Sequence, residues 1–256
     1  MEDTILIETH HLTKYFGALA AVNDVSIKIR QNALHSIIGP NGAGKTTFFN
    51  LLSGNLKPTK GNIYFRGMDL TLQPIHKMVH LGIGRSFQIT NIFPNLSVHE
   101  NIRLASQAME KGNFNVFKNT QAMERCEERT REVIELVRLS KKALLPARAL
   151  PHGDQRKLEL GMILAPDPEV LLLDEPTAGM AAEDVPEWIE LIQGIHQAGN
   201  KTVVLVEHNM NVVMRISDVI TVMHMGKVLA EGTPAEIALD KAVQTAYLGG
   251  LYEFDI

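Results

Sequence analysis

The chain has a single cysteine, Cys126, in 256 residues. One thiol excludes an internal disulfide framework and fits a reducing compartment. It falls in a charged helical stretch, where a half-buried, unreactive side chain is expected rather than a nucleophile. Long apolar runs are also missing. The longest candidates, Val170 to Leu173 and Thr202 to Val206, are strand-sized and far short of the ~20 residues that span a bilayer as a helix. The opening Met1-Glu2-Asp3-Thr4 has no basic segment leading into an apolar one, so no secretory leader is expected. The chain is therefore expected not to cross a membrane itself, although it can dock on one. Positive charge is not in excess either: 25 Lys and Arg stand against 29 Asp and Glu, for a net −4 and a pI of about 6.2. That balance argues against a nucleic-acid partner. Repeats and low-complexity tracts are absent. What remains is 45% apolar and 21% charged residues, an ordinary globular composition in a chain long enough for one large domain or two small ones.

Ile5 to Thr9, Val22 to Ile29, Leu34 to Ile38 and Asn62 to Arg66 read as strands, with a turn at Gly67-Met68-Asp69. Thr46 to Leu52 reads as a helix stopped at Gly54. Between about Thr90 and Ala149 the pattern turns helical. From Glu124 to Arg138, charges surround an apolar stripe of Cys126, Val133, Ile134 and Val137, as on an amphipathic surface helix. Beyond it, Gln155–Leu164, Val185–Gln197 and Met210–Arg215 read as helices. Val170–Leu173, Thr202–Val206, Val219–Met223 and Lys227–Ala230 read as strands. Short apolar strands alternating with helices imply an α/β fold with a mainly parallel sheet covered on both faces. The helical stretch reads as a subdomain inserted into it, or else as a long excursion within one domain.

The segment Gly39-Pro40-Asn41-Gly42-Ala43-Gly44-Lys45-Thr46 matches G-x-x-x-x-G-K-[ST] between a strand and a helix. Its glycines let several backbone N–H groups turn toward one anion, and the following helix adds its positive end. Lys45 is placed to reach the β- and γ-phosphates of a nucleotide, and Thr46 to offer a hydroxyl to Mg²⁺. Leu171-Leu172-Leu173-Asp174-Glu175-Pro176 is a buried strand ending in two acids. Asp174 has the position that holds Mg²⁺ in phosphate-loop enzymes, and Glu175 can orient and deprotonate an attacking water.

With both motifs in place the chain resembles the ABC ATPases over nearly its whole length. The resemblance implies a phosphate-loop core with an N-terminal antiparallel β subdomain (about 1–89 and 166–256) and an inserted helical subdomain (about 90–165). It implies ATP and Mg²⁺ as ligands, with Thr47 beside the phosphate loop among the ATP contacts. Gln88, in Arg85-Ser86-Phe87-Gln88, matches the glutamine that touches Mg²⁺ and water. His208, in Val206-Glu207-His208-Asn209, matches the histidine that contacts the γ-phosphate. Phe16 best matches the aromatic that stacks on adenine, with Tyr15 its neighbour and competitor. Leu150-Pro151-His152-Gly153-Asp154-Gln155 matches the signature segment, which acts on the ATP of a second subunit. Pro151 stands there in place of a serine that meets the partner's γ-phosphate, and Asp154 in place of a glutamine. Slow hydrolysis is expected at the site Pro151 helps to form. The loop Thr177-Ala178-Gly179-Met180-Ala181 also lacks the family's usual aspartate.

Gly82 to Gln88, Ile92 to Asn101, Gly153 to Arg156, Ala230 to Ile237 and Ala246 to Gly249 are similar to the larger ATPase subunit of branched-chain amino acid importers. That subgroup implies a second ATPase subunit, as a heterodimer or else a homodimer, and membrane permease subunits docking near Gln88 to Asn101. It also implies a periplasmic solute-binding protein and a place on the cytoplasmic face of the inner membrane. Urea and amide importers and a lipopolysaccharide exporter share the pattern, and a weakly hydrolysing regulatory subunit is the further alternative. A single phosphate loop without a heptad run argues against a translation or DNA-repair ATPase. A kinase or GTPase leaves His208 unexplained, and no Asn-Lys-x-Asp guanine reader is present.

Overall fold

A computed structural model describes residues 4–86, 92–107, 120–199 and 201–248. The chain begins with β1 (Ile5–Phe16), β2 (Leu19–Val25), β3 (Lys28–Arg30) and β4 (Leu34–Ile38). Next come α1 (Lys45–Leu52), β5 (Lys60–Phe65), β6 (Met68–Asp69), α2 (Ile75–His80) and β7 (Ile83–Arg85). Helices α3 (Val98–Gln107), α4 (Thr120–Leu136) and α5 (His152–Leu164) follow. After them come β8 (Val170–Asp174), α6 (Val185–Gly199), β9 (Thr202–Val206) and α7 (Met210–Ile216). The described chain ends with β10 (Val219–His224), β11 (Lys227–Gly232), α8 (Pro234–Leu239) and α9 (Lys241–Leu248).

Every residue of β4, β8 and β9 is buried. Such runs belong at the centre of a sheet covered on both faces, and these three strands are parallel neighbours in the order β11-β10-β4-β9-β8-β7. Alternate side chains go to opposite faces. Leu171, Leu173, Val203 and Leu205 enter one buried cluster, and Val170, Leu172, Val204 and Val206 enter another. The second face is covered by Phe48, Phe49 and Leu52 of α1, beyond which lies an antiparallel sheet in the order β2-β1-β5-β6, with β3 on β1. The first face carries α6 together with Val98 and Ile102 of α3, Val133 and Val137 of α4, and Leu158 and Leu164 of α5. The helical stretch thus shares its core with the sheet.

Two local differences from the sequence reading have physical causes. Cys126 is only 7% exposed, because α4 turns it toward α3, where its Sγ approaches the Arg103 carbonyl at 3.7 Å. Met68 and Asp69, expected as a turn, pair with β5 as a short edge strand.

A polar chain crosses the mixed sheet. Thr221 donates its hydroxyl proton to Glu231 at 2.7 Å, so His35 Nε2, also 2.7 Å from that hydroxyl, must be the protonated ring nitrogen. Burial pushes the His35 pKa down to about 4 and keeps the ring neutral. Among the described residues no helix is long and apolar enough to cross a membrane.

Candidate functional site

Parallel pairing sets Ile37 of β4 and Asp174 of β8 level with Val206 of β9. The segments leaving these strands therefore emerge side by side at one sheet edge, where open α/β sheets bind ligands. They are the Gly39–Thr46 loop, Glu175 and the Glu207–Asn209 turn.

The loop's shape depends on absent side chains. A Cβ on Gly39 would meet the Met223 carbonyl oxygen at 2.2 Å, and one on Gly44 would meet that of Ala21 at 2.2 Å. Both glycines also hold positive φ, 155° and 99°, which favours glycine. The loop is so wedged between the ends of β10 and β2. Helix α1 starts at Gly44 with no side-chain cap and no acid in its first turn, so its first N–H groups remain for an external anion. Pro40, Asn41, Gly42 and Ala43 form the intervening turn, closed by Ala43 N–H to the Pro40 carbonyl at 3.1 Å. Thr46 and Thr47 lie in the first turn of α1.

Lys45 is 5% exposed and donates to the Gly39 and Pro40 carbonyls at 2.7 and 3.1 Å. Burial lowers its pKa from the ordinary lysine value, and the Glu175 and Asp174 carboxylates oppose that shift. Asp174 is 4% exposed, and neither carboxylate oxygen has a hydrogen-bond partner among the described residues. Burial raises its pKa; Arg85 opposes this, Glu175 adds to it, and His208 and Lys45 oppose it. A buried carboxylate without donors is costly. At the end of a core strand beside a phosphate loop, it fits a divalent cation. Arg85 is fixed by Asn50 Oδ1 at 2.6 Å, the Ser53 hydroxyl and the Phe49 ring.

Glu175 sits at φ 47°, in the left-handed region that non-glycine residues rarely occupy. Its N–H donates to the Val206 carbonyl at 2.8 Å, and its Oε1 lies 2.8 Å from His208 Nε2. A carboxylate and an imidazole in contact at the surface can hold and pass a proton. Tyr15 and Phe16 are 40% and 49% exposed at the end of β1, and Lys14 Nζ lies 5.5 Å from the Phe16 ring centroid. Gln88 falls outside the described residues.

The Leu150–Gln155 segment forms the start of α5. Leu150 is buried, Pro151 is the N-cap, and no side chain caps the helix. His152 is exposed at the first helical position. A Cβ on Gly153 would approach Asp184 Oδ2 at 3.1 Å. Asp154 is paired with Lys142 and, at 3.4 Å, with Lys157. Gln155 donates back to the Leu150 carbonyl at 2.9 Å. Both side chains are therefore engaged within the chain.

A sequence profile described as ABC transporter matches residues 22–178, from β2 through the phosphate loop and α5 to the turn after Glu175. The chain belongs to the ABC transporter family. A second profile, described as Branched-chain amino acid ATP-binding cassette transporter, matches residues 227–252. The high-affinity branched-chain amino acid transport ATP-binding protein LivG of Salmonella typhimurium is 40% identical over 249 residues, 95% of this chain and 98% of that protein. A nucleotide-free ATP-binding cassette from an ABC transporter superposes with a TM-score of 0.82 at 27% identity, covering 98% of this chain and all of the other. A dimeric cassette in a post-hydrolysis state, bound to ADP and Pi, gives 0.74 at 25% identity over 90% of this chain and 99% of its own. As an ABC cassette the chain is an ATPase subunit of a transporter.

Two residues near the site escaped the sequence reading. Tyr247 of α9 packs against the cluster containing Ile38, and its phenol meets the Gly39 backbone N–H. Burial raises its pKa against that hydrogen bond. Glu207, beside His208, is 3% exposed. Its only sequence signal was an acid at the end of an apolar strand.

Proposed function

We propose that this subunit powers an importer of branched-chain amino acids or related small polar solutes, and that its site residues divide the work of ATP hydrolysis as follows. The Gly39–Thr46 backbone and Lys45 bind the phosphates, with Thr47 beside them. Phe16, or its neighbour Tyr15, takes the adenine ring. Thr46 and Asp174 would hold Mg²⁺, joined by Gln88 as the family resemblance implies, and the cation would supply positive charge to the nucleotide's phosphates. Glu175 orients and deprotonates the attacking water. His208 holds Glu175 and reaches toward the γ-phosphate. The observation that carries this reading is the buried Asp174 carboxylate, without a hydrogen-bond partner among the described residues and set in the field of Lys45, Arg85, Glu175 and His208.

In the same proposal Leu150 to Gln155, within the helical subdomain of about 90–165, closes over ATP bound to a second subunit. The second subunit is a different ATPase chain or else a second copy of this one, the permease subunits dock near Gln88 to Asn101, and a periplasmic binding protein delivers the solute. The chain then lies on the cytoplasmic face of the membrane through its partners. The likeness to LivG and the C-terminal profile support the solute class. Deleting the chain should abolish energy-dependent uptake of labelled leucine, isoleucine and valine. Unchanged uptake of all three, with loss of urea or short-amide uptake, would reassign the cargo.

Pro151 offers neither a cap nor a hydroxyl to the partner's phosphate. Pro151→Ser supplies both, and an N-cap serine stabilises a helix by about 0.5–2 kcal/mol. Transport-coupled ATP turnover should rise about fivefold, the rate equivalent of ~1 kcal/mol. No gain in turnover would remove Pro151 as the cause of slow hydrolysis.

A further inference from the structure

The two loops that carry Glu175 and His208 are joined by the carboxylate of Glu207, to which no role has yet been given. Glu207 follows β9 and is almost wholly buried. Its Oε1 accepts from the Thr177 backbone N–H at 3.0 Å and from the Thr177 hydroxyl. Its Oε2 accepts from the backbone N–H groups of His208 at 2.9 Å and Asn209 at 3.2 Å. Four donors from two loops thus converge on one side chain.

Thr177 stands two residues after Glu175, in a turn closed by Ala178 N–H to the Glu175 carbonyl at 3.0 Å. His208 is the next residue after Glu207, and its ring returns to Glu175 Oε1 at 2.8 Å. The result is a closed circuit. It runs from the Glu175 side chain through the His208 ring and backbone to the Glu207 carboxylate, then to Thr177 and back along the chain to Glu175. Displacing either loop disturbs both the carboxylate bonds and the imidazole contact. Among the described residues, no hydrogen bond of the circuit runs to the Gly39–Thr46 loop or to the aromatics at the end of β1, which the proposed reading assigns to nucleotide binding.

We propose that Glu207 is a positioning residue, with Thr177 its partner, that sets the register of Glu175 against His208 for the hydrolytic step while leaving nucleotide affinity to the phosphate loop. The proposal rests on the reading of Glu175 and His208 as hydrolytic groups. Only the carboxylate can accept from all four donors. In Glu207→Gln one oxygen becomes an N–H₂ donor, and either the Thr177 pair or the His208–Asn209 pair loses its acceptor. Misplacement of reacting groups by about 1 Å can cost about a hundredfold in rate.

The test uses the full chain, assembled with its partner ATPase subunit, and MgATP. Glu207→Gln should lower kcat by about ten- to hundredfold with the Kd for MgATP unchanged. Thr177→Val, which keeps the side-chain shape and loses the hydroxyl, should lower kcat in the same direction, and Thr177→Ser should restore it. Thr177→Val placed on Glu207→Gln should add little, because both act through one linkage. The side-chain NMR signals of His208 should move in Glu207→Gln toward their positions in Glu175→Ala. Wild-type kcat in Glu207→Gln, equal losses in Thr177→Val and Thr177→Ser, or a weakened Kd that accounts for the whole loss would overturn the proposal. If the wild-type chain, assembled with its partner ATPase subunit, does not hydrolyse ATP, the reading of Glu175 and His208 fails instead. The NMR comparison then decides the positioning role alone, and unmoved His208 signals reject it.

Discussion

Glu175→Gln should lower ATP turnover by about 10²–10⁴-fold, the contribution of a positioned general base, and leave ATP binding intact. The amide is nearly isosteric and can still meet His208, so the 2.8 Å contact with Nε2 survives in geometry. What it loses is proton affinity at the oxygen that would take the water's proton. The backbone should not relax either, because the positive φ of Glu175 is held by its N–H bond to the Val206 carbonyl and not by the side chain. Steady-state phosphate release paired with a fluorescent-nucleotide binding isotherm separates the two effects. A variant that turns over within about tenfold of wild type would move the base elsewhere.

Lys45→Ala should cut kcat/KM by about 10²–10³-fold, the scale measured when one preorganised donor to developing negative charge is removed. The ammonium already lies within the loop, bonded to the Gly39 and Pro40 carbonyls, so an arriving phosphate meets a charge whose position has been set in advance. Its burial lowers its pKa, and a phosphate anion beside it acts in the opposite sense. Alanine is well accepted in a helix, so α1 should persist and thermal unfolding should shift little. Steady-state kinetics and a melting curve on the same preparation check both halves. A loss below about tenfold in kcat/KM would remove Lys45 from transition-state binding.

The elements that carry the site were the legible ones, for a physical reason. β4 and β9 are short, wholly buried strands followed by glycine or by charge, and both match the sequence reading at each boundary. β1 was read as ending at Thr9, yet it runs to Phe16. It pairs with β3, β5 and β2 in turn, and register shifts around His10 to Thr13 break the alternation that marks a strand. α2 buries only Met78, and β7 has three residues that are a strand only by pairing with β8. Neither has a period long enough to see. α5 begins at His152, three residues before the Gln155 start expected from the sequence. Pro151 is the N-cap, a position whose missing N–H costs the helix no hydrogen bond, so the helix can begin directly after it. Glu207 and Tyr247 were invisible because their partners, Thr177 and Gly39, lie far from them in the chain.

The central claim is that this phosphate loop is half of a site completed by the signature segment of another subunit. The mass of the Glu175→Gln chain, measured by light scattering with and without MgATP, tests it most directly. The 28.4 kDa chain should about double in mass when MgATP is added and revert when nucleotide is removed, either alone or with its partner ATPase subunit. A chain that stays monomeric under both conditions, while the wild type hydrolyses ATP at a rate per chain independent of concentration, would contradict it.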